Sequence, residues 1–344
     1  MKRVLFFTST FMDIYKDVQN VMKKMGYEVV WVEASTITPN PFNRLFNLYT
    51  PENIKTYLEK VDQMWGKILS KDEFQLPFDF FFAINGLDIH PRLINFLTHK
   101  NPNIKKILYL YDRVDGVIQL DEFFKYYDKV FSFDMSDCDK YGLTFLPIYW
   151  SPISSMYHVK YNIFGLASFS PLKPERTALY QKIKHIADIN NLQSFIKLYV
   201  NTGNDSKVVF FLKSVLKRLL RRNSISLSLL LSDITTFDKL SPNEYRNLIN
   251  LSDTILDTQA PYQDGLTARF MWAVGAGKKI ITTNYNIKKY EFYSTNQFYI
   301  LSENNEDSEA LLEFLISRFI PTEGYYDKIQ RYRIDNWIKT ILGN

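Results

Sequence analysis

The sequence predicts an α/β protein built of two Rossmann-like domains that face a cleft. Short apolar runs alternate with segments of helical periodicity, the pattern of parallel sheets covered by helices on both faces. This alternation stops around residues 150–162 and then starts again. The length of 344 residues corresponds to about two domains. We therefore expect a first domain over 1–155, a second over 156–323 and a closing helical segment over 324–344.

The first half begins with a short apolar run that predicts a buried strand over residues 4–8. The next segment has helical periodicity and ends at Gly26, a residue that commonly closes helices. Pro51 favours a helix start because its ring fixes the backbone in a helical conformation. Further strands are predicted over 28–32, 78–84, 106–111, 129–133 and 143–148, and helices over 12–25, 51–70 and 91–99.

The second half repeats the alternation without any fixed short repeat. The expected order is strand, helix and strand, continued through the rest of this half, with two helices at its end. Strands are predicted over 163–168, 194–200, 226–231, 254–257 and 279–283, and helices over 175–189, 207–222, 242–251, 266–276, 308–319 and 324–342.

Composition excludes several classes of protein. The single cysteine, Cys138, excludes a disulfide framework and a cysteine-rich zinc site. The four histidines are widely spaced along the chain, so we expect no metal site. The N-terminal apolar run is too short for a signal peptide, and no apolar stretch reaches the roughly 18 residues that a membrane span needs. These features predict a cytoplasmic protein. No G-x-G-x-x-G follows the first strand, which argues against a nicotinamide dehydrogenase.

The most informative segment is 257–284, which reads strand, loop, helix and strand. Gly265 at the helix start would let a ligand approach the backbone, and the free amides there favour a phosphate. Thr267 adds a hydroxyl donor, and Arg269 adds a cation suited to phosphate oxygens. An ordinary loop-helix corner is the alternative interpretation of this pattern.

The same segment resembles the donor motif of GT-B fold glycosyltransferases. Gly265-Leu-Thr-Ala-Arg269 and Gly277-Lys-Lys-Ile-Ile-Thr-Thr-Asn284 are similar to the motifs of bacterial capsule and lipopolysaccharide biosynthesis glycosyltransferases. Tyr111-Asp112, Phe131-Ser-Phe-Asp134 and Tyr141-Gly-Leu-Thr-Phe-Leu-Pro147 also look like that group. The resemblance covers most of the chain.

This resemblance implies that the second half binds a nucleotide sugar as co-substrate, without any other cofactor or metal, because cations and helix ends neutralise the leaving group. It also implies that the closing helix crosses back to the first domain. Trp272 stands where the wider fold carries a second Glu, and Asp264 is expected to take over part of that role. The donor-binding residues implied are Lys173, Arg176, Asp264, Gly265, Leu266, Thr267, Arg269 and Trp272. A solvated helix start is the alternative for Lys173 and Arg176.

The resemblance assigns the acceptor to the first half, and an inverting enzyme needs a base there. Asp88, Asp112 and Asp134 follow predicted strands and are the candidates, with Asp112 preferred; an ion pair with Arg113 or a helix cap is the alternative for Asp112. Thr8, Ser9 and Thr10 are expected to bind the acceptor, and capping of the following helix is equally compatible with their position. The expected acceptor is a saccharide, and a lipid-linked one in particular.

The predicted helix 207–222 carries apolar residues on one face and five cations on the other, with Arg222 at the edge of that face. The net charge of the chain is +5, and these six cations concentrate positive charge on one local surface. It is interpreted either as a core helix with a solvated outer face or as a surface that binds anionic lipid at the inner face of the cell membrane. A nucleic-acid binder is disfavoured, because no recognition motif or wider basic face accompanies this helix.

The sequence thus predicts a glycosyltransferase of bacterial surface polysaccharide synthesis. A catalytically silent nucleotide-sugar-binding subunit is the alternative, and the Trp272 departure motivates it.

Overall fold

A computed structural model of the chain describes residues 1–34, 51–85, 89–114, 121–153, 158–171, 173–203, 205–219, 227–259, 264–301 and 308–343. The chain forms two compact units. The first consists of Met1–Ile148, Gln263–Gly265 and Ile334–Asn344, and the second of Tyr149–Tyr262 and Leu266–Arg333. The first segment of the first unit ends at Ile148, whereas the domain boundary was predicted at residue 155.

The first unit is built on a six-stranded parallel sheet with the order β2-β1-β3-β4-β5-β6. Its strands are β1 (Arg3–Thr8), β2 (Glu28–Glu33), β3 (Phe80–Ile84), β4 (Lys105–Leu110), β5 (Lys129–Ser132) and β6 (Thr144–Phe145). Every residue of β1 and β3 is buried, which explains why these strands are near-continuous apolar runs. Its helices are α1 (Ile14–Lys24), α2 (Pro51–Leu69), α3 (Pro91–Lys100) and α4 (Met135–Tyr141).

The second unit has its own six-stranded parallel sheet, with the order β12-β11-β10-β7-β8-β9. Its strands are β7 (Tyr161–Ser168), β8 (Ser194–Tyr199), β9 (Thr235–Thr236), β10 (Ser252–Asp257), β11 (Lys279–Thr282) and β12 (Phe298–Ile300). Its helices are α5 (Pro174–Ile189), α6 (Lys207–Leu219), α7 (Leu227–Leu230), α8 (Pro242–Asn250), α9 (Ala268–Gly275), α10 (Ser308–Ile316) and α11 (Tyr325–Gln330). Two parallel sheets with alternating helices confirm the predicted fold class.

Two predicted elements are wrong. Within residues 226–231 the structure has the short helix α7 instead of a strand, because a short apolar run fits a buried helix as well as a strand. The single helix predicted over 324–342 is two helices, α11 in the second unit and α12 (Ile334–Leu342) in the first.

Helix α12 packs within the first unit, although the chain reaches it only after the second. The Trp337 side chain is fully buried and donates a hydrogen bond from Nε1 to the Pro147 carbonyl oxygen at 3.1 Å. Its ring meets the Tyr109 ring edge-on, with the centroids 4.7 Å apart. This packing explains why the last helix carries one apolar face, whose residues Ile334, Trp337, Ile338, Ile341 and Leu342 are all buried. In the part of the chain that the structure describes, no helix is long and apolar enough to span a bilayer.

Lys279 explains part of the Gly-Lys-Lys pattern in the second unit. Its side chain is fully buried in β11, and Nζ donates hydrogen bonds to the Phe314 and Leu315 carbonyl oxygens at 2.8 Å. The Asp253 carboxylate lies 3.1 Å from the same nitrogen. A buried ammonium needs such partners, and here it closes the C-terminal end of α10, where helix carbonyls carry partial negative charge.

Candidate functional site

The donor-side residues of the second unit gather at the carboxyl ends of β7 and β10, which are neighbours in the sheet. Asp257 is the last residue of β10, and it is buried. Thr267 caps α9: its Oγ1 accepts from the Phe270 amide at 3.1 Å and donates to Asp257 Oδ1 at 3.1 Å. The Thr267 hydroxyl therefore already has a protein acceptor, and its predicted contact with a diphosphate stays a prediction.

Arg269 ties the two strand ends together. Its Nη1 donates to the Leu166 carbonyl oxygen of β7 at 3.2 Å, and Nη2 lies 3.8 Å from Asp257 Oδ1. Burial raises the pKa of Asp257, while Arg269, Thr267 and Arg176 oppose that rise. A buried carboxylate beside a guanidinium fixes the cation at this position. Arg269 was predicted as a site residue from the sequence. Asp257 was not, although it ends a predicted strand.

Two further cations lie at the start of α5. Arg176 Nη1 donates to the Ser168 carbonyl oxygen, at the end of β7, at 3.2 Å. Lys173 occupies the cap position of α5, and both burial and the charge of Arg176 lower its pKa. The structure thus brings Lys173, Arg176 and Arg269 to adjacent strand ends in the second unit, together with the N-termini of α5 and α9. This is an arrangement that suits phosphate oxygens.

Trp272 and Leu266 lie in the interior of the second unit, each with 1% of its surface exposed. The Trp272 ring lies beneath the guanidinium carbon of Arg246, which is 4.4 Å from the ring centroid. The Tyr245 ring meets it edge-on at 6.4 Å. The aromatic residue at the position of the second Glu therefore has a packing role in this chain. A donor-binding role for Trp272 stays a prediction, and its buried side chain does not support it.

Asp264 and Gly265 belong to the first unit, where Asp134 holds their backbone. Asp134 Oδ2 accepts hydrogen bonds from the amides of Asp264 and Gly265 at 2.8 and 3.2 Å. Ser136 Oγ donates to the Asp264 carboxylate. The Gly265 amide therefore already donates to a carboxylate, so its expected donation to a diphosphate stays a prediction.

The glycine at position 265 is explained by a close approach. A Cβ atom there would lie 2.5 Å from the Phe133 carbonyl oxygen and 2.5 Å from the Phe133 ring. No other amino acid fits without moving this backbone. The close contact with Phe133 is enough to explain the glycine at this position, without a bound ligand.

Asp134 itself is fully buried and caps α4, with Oδ1 accepting from the Asp137 amide at 3.2 Å. Arg113 Nε lies 4.0 Å from Asp134 Oδ1 and 3.7 Å from Asp137 Oδ1. Both oxygens of Asp134 thus accept backbone hydrogen bonds, which favours a structural role over that of a catalytic base. Of the other base candidates, Asp88 lies outside the described residues.

The third base candidate, Asp112, lies in a polar cluster at the carboxyl ends of β3 and β4. Asn85 Nδ2 donates to Asp112 Oδ2 at 2.7 Å, and Asn85 Oδ1 accepts from the Tyr111 amide at 3.0 Å. Asp112 is exposed as a residue, yet desolvation by the surrounding chain raises the pKa of its carboxyl, and the Asn85 hydrogen bond opposes that rise. Asn85 has a left-handed backbone, with a φ of 59°. It was not predicted as a site residue, because only the pairing of β3 with β4 brings it to Asp112.

Of the three predicted acceptor residues, Thr8 ends β1, the strand next to β3, and Ser9 and Thr10 follow it. Ser9 Oγ and the Tyr111 hydroxyl are 3.2 Å apart. Thr10 Oγ1 donates to Glu33 Oε1 at 3.4 Å and makes no capping hydrogen bond. Thr8 is buried, and its Oγ1 has no hydrogen-bond partner among the described residues. Ser9 therefore joins the Asp112 cluster through Tyr111.

Helix α6 exposes the apolar face that one interpretation placed in the core. Val208, Leu212 and Leu216 follow one another at intervals of one helical turn and are 68%, 61% and 57% exposed. Ser214 is buried instead, and the Phe210 ring packs against Phe237. Of the predicted helix 207–222, residues 220–222 lie outside the described residues.

The comparisons with known proteins identify the fold. No family model matches the chain, and no curated protein matches its sequence. Solved structures do match in shape over 100% of this chain, among them the following three. OtsA matches at 12% identity over 98% of its own chain, with a TM-score of 0.57. The N-terminal domain of Candida albicans trehalose-6-phosphate phosphatase matches at 12% identity over 96% of its chain, with a TM-score of 0.56. The α,α-trehalose 6-phosphate synthase of Burkholderia multivorans matches at 11% identity over 98% of its chain, with a TM-score of 0.55.

At such identities the likeness establishes the fold alone. Two parallel six-stranded sheets with alternating helices, matched over the whole chain, give this protein the two Rossmann-like domains of the GT-B fold.

Proposed function

We propose that this protein is a metal-independent glycosyltransferase that moves a sugar from a nucleotide sugar to a saccharide acceptor. The observation that carries the proposal is the cation cluster of Lys173, Arg176 and Arg269 at the ends of β7 and β10, on a GT-B fold. Fixed cations and helix N-termini stabilise the charge that develops on a leaving nucleoside diphosphate. This is the chemistry that the donor half must supply.

The first unit supplies the acceptor side of the reaction. In an inverting mechanism the Asp112 carboxylate removes the proton of the attacking acceptor hydroxyl, which then bonds to the anomeric carbon of the donor as the nucleoside diphosphate leaves. Asn85 donates a hydrogen bond to that carboxylate at 2.7 Å, and the hydroxyls of Ser9 and of Tyr111, the residue before Asp112, are 3.2 Å apart. The motif resemblance further supports a place in bacterial capsule or lipopolysaccharide synthesis, with a lipid-linked saccharide as acceptor.

A thermal-shift screen of the full chain against nucleotide sugars, followed by a turnover assay, tests the proposal. A ligand at 100 times its Kd stabilises the protein by about 2.7 kcal/mol, which gives a clear rise in Tm. We expect one nucleotide sugar to stabilise the protein and to be consumed in the presence of a chelator. Absence of stabilisation by every nucleotide sugar would refute the proposal. Stabilisation without any turnover would favour the alternative of a silent binding subunit.

The pH dependence of turnover tests Asp112 as the base. A base works when deprotonated, so kcat/KM should fall as the pH falls through the pKa of Asp112, which burial raises. Asn85→Ala removes the hydrogen bond that lowers this pKa, and we expect the acidic limb to move to higher pH. Asp112→Asn should retain donor binding and lose transfer by about a hundredfold or more. An Asp112→Asn enzyme with normal turnover would remove Asp112 from the mechanism.

We also propose that the protein works in the cytoplasm and binds the inner face of the cell membrane through α6. The exposed Val208, Leu212 and Leu216 would enter the lipid surface, while the cations of segment 207–222 would contact anionic headgroups. Such a surface would bring the enzyme to a lipid-linked acceptor.

Vesicle cosedimentation checks this membrane contact. We expect the protein to bind vesicles that contain phosphatidylglycerol, and to bind pure phosphatidylcholine vesicles weakly. The double variant Leu212→Gln/Leu216→Gln should lose binding, whereas Ile189→Gln, which alters another exposed apolar residue of the same unit, should not. Equal binding of the double variant and the wild type would contradict the proposal.

A further inference from the structure

The loop after β1 presents an aromatic side chain to solvent in an unusual backbone setting. Phe11 is 59% exposed. The next two residues, Met12 and Asp13, both have left-handed backbones, with φ of 53° and 56°. Consecutive non-glycine residues rarely adopt this conformation, because Cβ then crowds the backbone carbonyl oxygen. Such strain is typically found at binding and catalytic sites.

The Phe11 ring is held against the polar cluster. It stacks on the Tyr111 ring with centroids 6.1 Å apart and an interplanar angle of 20°. The Phe11 amide donates to Ser9 Oγ at 3.4 Å, and Ser9 Oγ is 3.2 Å from the Tyr111 hydroxyl. At the start of α1, Lys16 Nζ lies 3.0 Å from Asp13 Oδ1 and forms an ion pair with it. Phe11 thus contacts Tyr111 through its ring and Ser9 through its backbone amide.

The groups around the two rings have the chemistry of a sugar-binding surface. A pyranose ring has an apolar C–H face and a rim of hydroxyl groups. The Phe11 and Tyr111 rings offer an apolar surface, and the hydroxyls of Ser9 and Tyr111 lie at its edge. The Asp112 carboxylate, held by Asn85, follows directly in the chain and can accept hydrogen bonds from sugar hydroxyls.

We propose that Phe11 and Tyr111 form an aromatic platform that binds the sugar ring of the acceptor, with Phe11 as the residue that determines its affinity. The inference rests on the proposed function, because it names the part of the acceptor that this unit recognises. It adds to the predicted acceptor residues an aromatic surface that the strand pattern alone does not reveal. The strained Met12 and Asp13 backbone then serves to present the Phe11 ring.

Saturation-transfer difference NMR of the full chain with a panel of methyl pyranosides tests the platform. We expect at least one methyl pyranoside to bind, with the strongest signals from the C–H protons of one ring face. Phe11→Ala should weaken this binding by about tenfold, the loss that corresponds to a strong aromatic contact. Phe11→Trp and Phe11→Tyr should retain it within about threefold, since both keep an aromatic face.

Leu76→Ala is the matched control, because Leu76 is 60% exposed in the same unit and away from these contacts. The inference is overturned if no pyranoside binds, or if Phe11→Ala binds the pyranosides as the wild type does. Nucleotide-sugar thermal shifts of the same variants keep the two proposals separate. Unchanged donor stabilisation with no effect of Phe11→Ala would refute the platform and leave the proposed transferase standing.

Discussion

Arg269→Ala should lower kcat/KM for the nucleotide sugar by about a hundredfold or more, the loss expected when one fixed donor to a developing negative charge is removed. Arg269 bridges the Leu166 carbonyl oxygen and the buried Asp257 carboxylate at the donor end of the second sheet. Without Arg269, the buried Asp257 carboxylate loses the guanidinium that stabilises its charge from 3.8 Å. We therefore expect the free energy of unfolding to fall by about 2 kcal/mol as well.

Steady-state kinetics at a temperature well below Tm, with urea unfolding in parallel, separates the two effects. Arg246→Ala is the matched control, because Arg246 packs over the Trp272 ring in the same unit and has no proposed contact with the donor. That variant should lose stability and keep donor affinity. Arg269→Lys should recover part of the stability but little of the turnover, since an ammonium cannot bridge two acceptors as a guanidinium does. Wild-type kinetics in Arg269→Ala would remove this residue from the site.

Asp134→Ala should lower the free energy of unfolding by about 3 kcal/mol. The change removes the cap of α4, worth about 1 kcal/mol, and two further charge-assisted hydrogen bonds to the amides of Asp264 and Gly265. It also leaves those amides without their carboxylate acceptor in a place where no water reaches the Asp134 side chain. The loop that precedes α9 should then lose its position.

Urea unfolding and hydrogen exchange measure the two consequences. The Asp264 and Gly265 amides should exchange faster in Asp134→Ala than in the wild type. Asp139→Ala changes an exposed carboxylate of the same helix and should alter stability by at most about 0.5 kcal/mol. Equal stability of the Asp134 and Asp139 variants would contradict the structural role of Asp134.

Much of the fold could be predicted because its signals are local. Buried parallel strands are near-continuous apolar runs, and the central residues of β1 and all of β3 have this character in the sequence itself. Gly26 indicated the end of a helix and Pro51 the start of one, because each residue acts through its own backbone conformation. The prediction was wrong where a local signal fits two structures, as in α7, and where a helical pattern hid a break, as between α11 and α12.

The candidate site was predictable only in part. Lys173, Arg176 and Arg269 could be proposed from the sequence because they stand beside predicted strand ends and helix starts. Asp257, Asn85 and Phe11 were missed because each one depends on a neighbour from another strand. Trp272 was expected at a ligand and lies in the interior, since one residue type alone does not tell whether an indole contacts a ligand or a core.

The sequence by itself determined two parallel α/β units, because apolar periodicity and residues that start or end helices act over a few residues. It also indicated three cations of the second unit near strand ends. Only the tertiary structure decided which distant groups meet. Asp134 holds an amide 130 residues away, and Trp337 contacts the strand that ends at Leu110. It also decided that the apolar face of α6 is exposed. Such pairings follow from strand order and helix docking, whose energies arise from contacts that are remote in the chain.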